Sequence, residues 1–144
     1  MIGAQPITLY INSPGGETTP SLCLYDTMNH VKSPVATLAF GAATNMALFL
    51  LSAGVKGQRY SLPHTRMVMG QPGGAARGQA SDIQVEAGEL LRLRQFMFQK
   101  IAQVTGKPEE EVAEDFKRDK FFSPEEAKEY GLIDNVLTPR KALL

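Results

Sequence analysis

Apolar positions along the chain fall into short dense runs separated by glycine- and proline-rich breaks, and the spacing within each run predicts its element. Ile7–Ile11 is a β-rich run stopped by Asn12-Ser13-Pro14-Gly15-Gly16, a dense turn signal. Leu22, Tyr25, Met28 and Val31 recur at helical spacing, which predicts a helix capped by Thr18, Thr19 or Ser21 and running to about Val31. Ser33-Pro34 breaks it, and Val35–Phe40 reads as a second, buried strand. After Gly41, Ala42–Ala53 is rich in helix formers, with Gly54 as its expected C-terminal cap. Gln58–Leu62 and Arg66–Met69 are short strand candidates, and Gly70–Gly78 reads as a loop or an irregular extended arm. A long helix is expected from Ser81 or Asp82 to about Val104. Its apolar residues, among them Ile83, Leu90, Leu93, Met97 and Ile101, cover more than one stripe, which predicts a second partner besides its own core. Thr105-Gly106-Lys107-Pro108 ends that helix, and Glu109–Phe116 is a short helix with an acidic first turn. Ser123-Pro124-Glu125-Glu126 is a capping box that opens a helix closed by Gly131, and Leu132–Leu137 is a last strand. Strands alternate with helices, so the class is α/β.

With 144 residues the chain suits one domain, which at this size buries about 68–70% of its unfolded surface and needs no disulfide or metal staple. Lys and Arg number 15, as do Asp and Glu, so the formal net charge is zero. That balance excludes a nucleic-acid or membrane-surface role driven by bulk charge. The single cysteine, Cys23, has no partner for a disulfide or a metal motif and is expected to be a buried small apolar residue. The longest apolar run, Met46–Leu51, is far short of the about 20 residues that a membrane span needs. No targeting signal is visible near Met1, and a chain that starts this close to its core is expected to lack an N-terminal part, with any targeting information it carries.

The candidate chemistry lies in Val35–Leu51. A buried strand runs into the turn Gly41-Ala42-Ala43-Thr44-Asn45 and then a helix. Free backbone N–H groups and the dipole at a helix head stabilise negative charge, and serine hydrolases use that junction to expose a nucleophile beside an oxyanion hole. The tip residue here is Asn45, which is no useful hydrolytic nucleophile. The Gly15-Gly16 turn could supply further N–H donors.

At this point the residues carry a resemblance. Tyr10-Ile11-Asn12-Ser13-Pro14-Gly15-Gly16, Tyr25-Asp26-Thr27-Met28, Ala42–Gly54, Gln71-Pro72, Gly78–Ile83 and Glu126–Asp134 resemble, in order, the landmarks of ClpP, the peptidase of Clp proteases. The resemblance implies a ClpP/crotonase-like α/β superhelix with a protruding handle, about residues 70–104. It places the family's serine on Asn45, its histidine on Gly70 and its aspartate on Asp119. The oxyanion-hole positions fall on Gly16 and Met46. Thr44 and Ala47 replace the small residues that flank the serine.

A triad needs a nucleophile, a base and an orienting carboxylate. With Asn45 and Gly70 the first two are lost, and Asp119 has nothing to orient. Losing either costs about 10⁶ in rate in a well-studied triad, nearly as much as losing all three. The pattern is similar to ClpR, the non-catalytic paralogue, and the Ala75-Ala76-Arg77-Gly78-Gln79 and Thr19-Pro20-Ser21 stretches resemble a plastid type. The resemblance therefore implies a structural subunit without cofactor or metal, in mixed heptameric rings with catalytic ClpP and other ClpR subunits. Those rings stack into a double ring and dock a Clp-type AAA+ ATPase, in the plastid stroma or, alternatively, in a cyanobacterial cytoplasm. Ile83, Leu90, Leu93, Met97 and Arg118 are its expected oligomer contacts, and Lys117 stands where the family commonly has an acid that pairs across rings.

Two rival readings stand beside this one. An active peptidase could use Thr44 or Ser52 with a base given in trans, and a crotonase-type acyl-CoA enzyme would share the fold and its glycine turns. His64 is expected in a strand-edge turn and His30 at a helix end, both without a catalytic role.

Overall fold

A computed structural model describes residues 4–70 and 79–140. The segment 71–78, which holds Gln71-Pro72 and most of the expected arm, lies outside the described residues. Six strands, β1 (Ile7–Ser13), β2 (Val35–Thr44), β3 (Arg59–Ser61), β4 (Arg66–Met69), β5 (Lys120–Phe122) and β6 (Asn135–Val136), form one sheet in the order β5-β4-β2-β3-β6, with β1 also paired to β2. Five helices, α1 (Thr18–His30), α2 (Met46–Ser52), α3 (Ala80–Thr105), α4 (Glu109–Asp115) and α5 (Pro124–Tyr130), connect and cover it. The class is α/β, as the alternating pattern predicts. Pairing is parallel except between β4 and β5.

Strand β2 is the centre. It pairs with β1 from Ile7↔Val35, with β3 through Thr37↔Arg59 to Ala39↔Ser61, and with β4 through Ala42↔Arg66 to Thr44↔Val68. It runs four residues beyond the expected end at Phe40, and α2 starts at Met46 rather than Ala42. Small Ala42 and Ala43 suit a helix by propensity, but a strand flanked on both edges satisfies their backbone groups in the ladder, and tertiary pairing overrides propensity. The expected cap Gly54 is also corrected. The C-cap of α2 is Ala53, and Gly54 is small because a Cβ there would overlap Thr37 Oγ1.

Helix α1 starts at Thr18 with Glu17 as N-cap and no side-chain cap, so neither Thr18, Thr19 nor Ser21 caps it; Ser21 Oγ instead donates to Glu17 O at 2.7 Å. Leu22, Tyr25 and Met28 face the core, Val31 is exposed, and Cys23 is exposed rather than buried because it lies off that stripe. The Ser123 capping box and the Gly131 cap of α5 form as expected. The last strand is only Asn135–Val136, since Leu132 and Ile133 leave the sheet to fill the core.

Helix α3 divides along its length. Ser81–Glu89 is exposed throughout, whereas Met97, Phe98 and Ile101 are buried in the domain's own core. Met97 is 1% exposed, so its expected role as an oligomer contact is corrected: its side chain is already spent inside the domain. The core end of α3 joins an aromatic cluster in which Phe98 stacks on Phe116 and Phe122 meets both Phe116 and Tyr130. That cluster ties α3, α4, α5 and β5 together. Strand β5 was not expected from the sequence; its Phe122 is buried while Phe121 is exposed, the alternation of a strand with one covered face.

One ion pair ties the turn before β6 onto the sheet. Arg59, 3% exposed, donates through Nη2 to Asp134 Oδ1 at 2.8 Å and through Nε to Oδ2 at 2.9 Å. Its Nη1 donates to the carbonyls of Ser52 and Gly131. The Arg59 hydrogen bonds hold the Asp134 carboxyl below its ordinary value of 3.8, against the opposing effect of burial, and the Gly57 amide adds to them. A carboxylate with a depressed native pKa contributes stability above its unfolded pKa and loses it as pH falls through the folded one. Asp134→Ala leaves the buried guanidinium unpaired, and the expected loss at pH 7 is about 3–5 kcal/mol in urea unfolding. The difference from the wild type should shrink as pH falls below about 4; a difference that does not change with pH would contradict this account of the pair.

Candidate functional site

Three strand ends build the site. Asn45 follows β2, Gly70 follows β4, and Asp119 precedes β5. The antiparallel register Val68↔Phe121 and Met69↔Lys120, carried one step on, sets Gly70 opposite Asp119. The parallel register Thr44↔Val68 brings Asn45 to the same end of β4. Sheet pairing thus gathers positions 45, 70 and 119, which are far apart in sequence. A Cβ built on Gly70 would overlap Asp119 Oδ1 and lie 3.2 Å from Asn45 Oδ1. Space that a side chain at position 70 would use is therefore taken by the Asp119 carboxylate.

Asn45 is the one non-glycine residue with a left-handed φ among the described residues, at φ 53° and ψ −116°. Such a conformation costs on the order of 1–3 kcal/mol and persists only where the surroundings fix it. Its N–H donates to Val68 O at 2.7 Å, its carbonyl accepts from Phe49 N–H at 3.1 Å, and its side-chain Oδ1 accepts from Gly70 N–H at 3.0 Å. Asp119 is exposed.

The β1 turn packs on this corner. Ser13 Oγ accepts from Gly15 N–H at 3.1 Å and donates to Gly15 O at 3.0 Å, which folds the turn back on itself. Asn12 Oδ1 accepts from Ala42 N–H at 3.2 Å and holds the turn against β2. Gly15, at φ +117°, lies so close that a Cβ would sit 3.1 Å from Thr44 O and 3.5 Å from Asn45 Cβ. Gly16 is exposed, with open space around it, and Met46 is the buried first residue of α2. Sequence reasoning did not single out Asn12; its place at a strand end before Ser-Pro-Gly-Gly was the available signal.

Asp119 owes its place to β5, which the buried Phe122 anchors. Tyr130 Oη donates to Asp115 Oδ2 at 2.7 Å, and Lys120 Nζ lies 3.3 Å from Asp115 Oδ1, so the residue after Asp119 is tied to α4. Burial and the Asp115 hydrogen bond push the Tyr130 hydroxyl well above its ordinary pKa. Arg118 is exposed, and Lys117, just past the end of α4, pairs back with Glu114 of that helix. Ser52 is 2% exposed and its hydroxyl donates to Phe49 O at 2.7 Å, which leaves it unfit as a nucleophile. His30 ends α1, and both His30 and His64 are exposed.

The two glycines of the turn should respond differently to a methyl group. Gly15→Ala meets both a left-handed φ and the Thr44 carbonyl, and is expected to cost about 1–3 kcal/mol in denaturant unfolding. Gly16→Ala has free space and should stay within about 0.5 kcal/mol of the wild type. Equal effects would show that the turn does not pack on Asn45 as described.

Comparison with known proteins agrees with this architecture. The Clp protease family profile matches residues 2–140. A similar protein is the ATP-dependent Clp protease proteolytic subunit 2 of Prochlorococcus marinus (strain NATL2A), 52% identical over 136 residues, covering 94% of this chain and 68% of that one. A family match over nearly the whole length displaces the acyl-CoA reading. With the α/β sheet in place and more than half of the aligned residues shared with a Clp proteolytic subunit, the chain belongs to the Clp protease family.

Proposed function

We propose that this chain is a non-catalytic subunit of a Clp protease core, holding a place in a mixed ring beside catalytic subunits. The observation that carries this reading is the chemistry at the gathered corner. Position 45 offers a carboxamide whose oxygen already accepts a hydrogen bond, and position 70 offers no side chain. A carboxamide has no ionisable nucleophile, and no imidazole stands between it and Asp119 to take a proton. Gly16 and Met46 keep the backbone positions of an oxyanion hole in this reading, with no attacking group to serve. The Prochlorococcus relative, by its name a subunit of an ATP-dependent protease, supports membership in such a core. Its cyanobacterial source suits either a cyanobacterial cytoplasm or a plastid stroma, and an AAA+ ATPase of the Clp type is the expected docking partner.

Ring building is the remaining task. Ser81–Glu89 of α3 is exposed along its length, with Ile83 42% and Val85 73% exposed, and Leu91 further on 57% exposed. A helix apolar on faces its own core leaves bare is suited to a partner. This is the handle of the proposal, with Ile83, Leu90 and Leu93 as contacts and Arg118 near the site's rim.

Two outcomes are expected. The purified chain should not react with a fluorophosphonate and should cleave no fluorogenic peptide; stoichiometric labelling at any residue would sink the inactive reading. Ile83→Asp with Leu93→Asp should weaken association with partner subunits at least about tenfold in native mass spectrometry, with unchanged far-UV circular dichroism. Normal assembly of the double variant would refute the handle assignment.

A further inference from the structure

The left-handed Asn45 and the bare Gly70 share one bond, and its geometry explains both. In a parallel ladder a residue between two partners donates its N–H to the preceding one and accepts at its carbonyl from the following one. Asn45 fulfils the first half, donating to Val68 O at 2.7 Å. It cannot fulfil the second, because the chain turns into α2 at this residue and the Asn45 carbonyl accepts from Phe49 N–H instead. The next ladder donor, Gly70 N–H, would then lack an acceptor. Gly70 is buried, and a buried amide without a partner is costly. The Asn45 side chain carries an amide carbonyl of its own, and Oδ1 stands 3.0 Å from Gly70 N.

We propose that Asn45 acts as a peptide mimic: its side-chain carbonyl continues the β2–β4 ladder for one bond past the strand-to-helix turn and positions the end of β4. Gly70 belongs to the same device, because a Cβ there would press on the Asn45 oxygen at 3.2 Å and overlap Asp119 Oδ1. The replacements at positions 45 and 70 are thus one coupled structural solution. This goes beyond the absence of catalysis, since it assigns the two residues a positive role that is read without any activity assay.

The test is amide hydrogen exchange of the full chain, followed at Gly70 and, as an internal control, at Thr37, whose N–H donates to Gln58 O elsewhere on β2. Asn45→Ser replaces the amide carbonyl with a hydroxyl oxygen one bond closer to the backbone, short of the position that Oδ1 holds, and Asn45→Gly removes the acceptor altogether; the glycine variant also relieves the left-handed backbone and keeps the test readable where the serine variant folds poorly. In both, Gly70 exchange should accelerate at least about tenfold while Thr37 is unchanged. Asn45→Asp made together with Asp119→Asn, so that two carboxylates do not face each other beside Gly70, retains an acceptor oxygen and should keep Gly70 exchange within about threefold of the wild type. Unchanged Gly70 protection in the serine and glycine variants, acceleration shared equally by Thr37, or loss of protection in the Asn45→Asp, Asp119→Asn variant as large as in Asn45→Gly would each overturn the proposal.

Discussion

Everything at this site depends on where a central strand must stop. Strand β2 is hydrogen-bonded to β1, β3 and β4, so its course is fixed on both edges, and its last residue has to hand the chain to a helix. At that junction the Asn45 carbonyl turns into the helix, where it accepts from Phe49 N–H, and no longer faces the ladder. The structure resolves this by straining Asn45 into a left-handed conformation and by using its side chain as a second carbonyl. The turn of β1 packs against the same corner through Gly15, and β5 brings Asp119 to its other side.

Much of this frame was legible in the sequence. The glycine turn after the first strand, Arg66–Met69 as a strand with the bounds observed, and Ser123-Pro124-Glu125-Glu126 as a capping box were read from local signals, although β1 runs on through Asn12 and Ser13, which were expected in the turn. What failed was decided at a distance. Gly41–Thr44 looks like helix former and turn, but pairing with Ser13 and β4 makes it strand. Lys120–Phe122 is too short to show a period, yet it places Asp119. The Arg59–Asp134 pair joins residues 75 positions apart and left no trace in either local sequence. Cys23 and Met97 were assigned the wrong sides of the surface, since spacing alone gives a stripe's period and not which half of a long helix meets the core.

The site itself was legible as three positions through resemblance, but not as a set of contacts. Composition told that Asn45 is no nucleophile; only the register told that its oxygen meets Gly70 N–H and that Asp119 fills the space beside Gly70. At this corner the Asn45 oxygen is held by the Gly70 amide and the Asp119 carboxylate lies beside Gly70, while Asn45 and Asp119 both remain exposed.

The central claim concerns which group the Gly70 amide meets. A through-hydrogen-bond scalar coupling experiment on isotope-labelled protein reads this directly. The account predicts a correlation from the Gly70 amide nitrogen to the Asn45 side-chain Cγ. A correlation from Gly70 to a backbone carbonyl instead would contradict it.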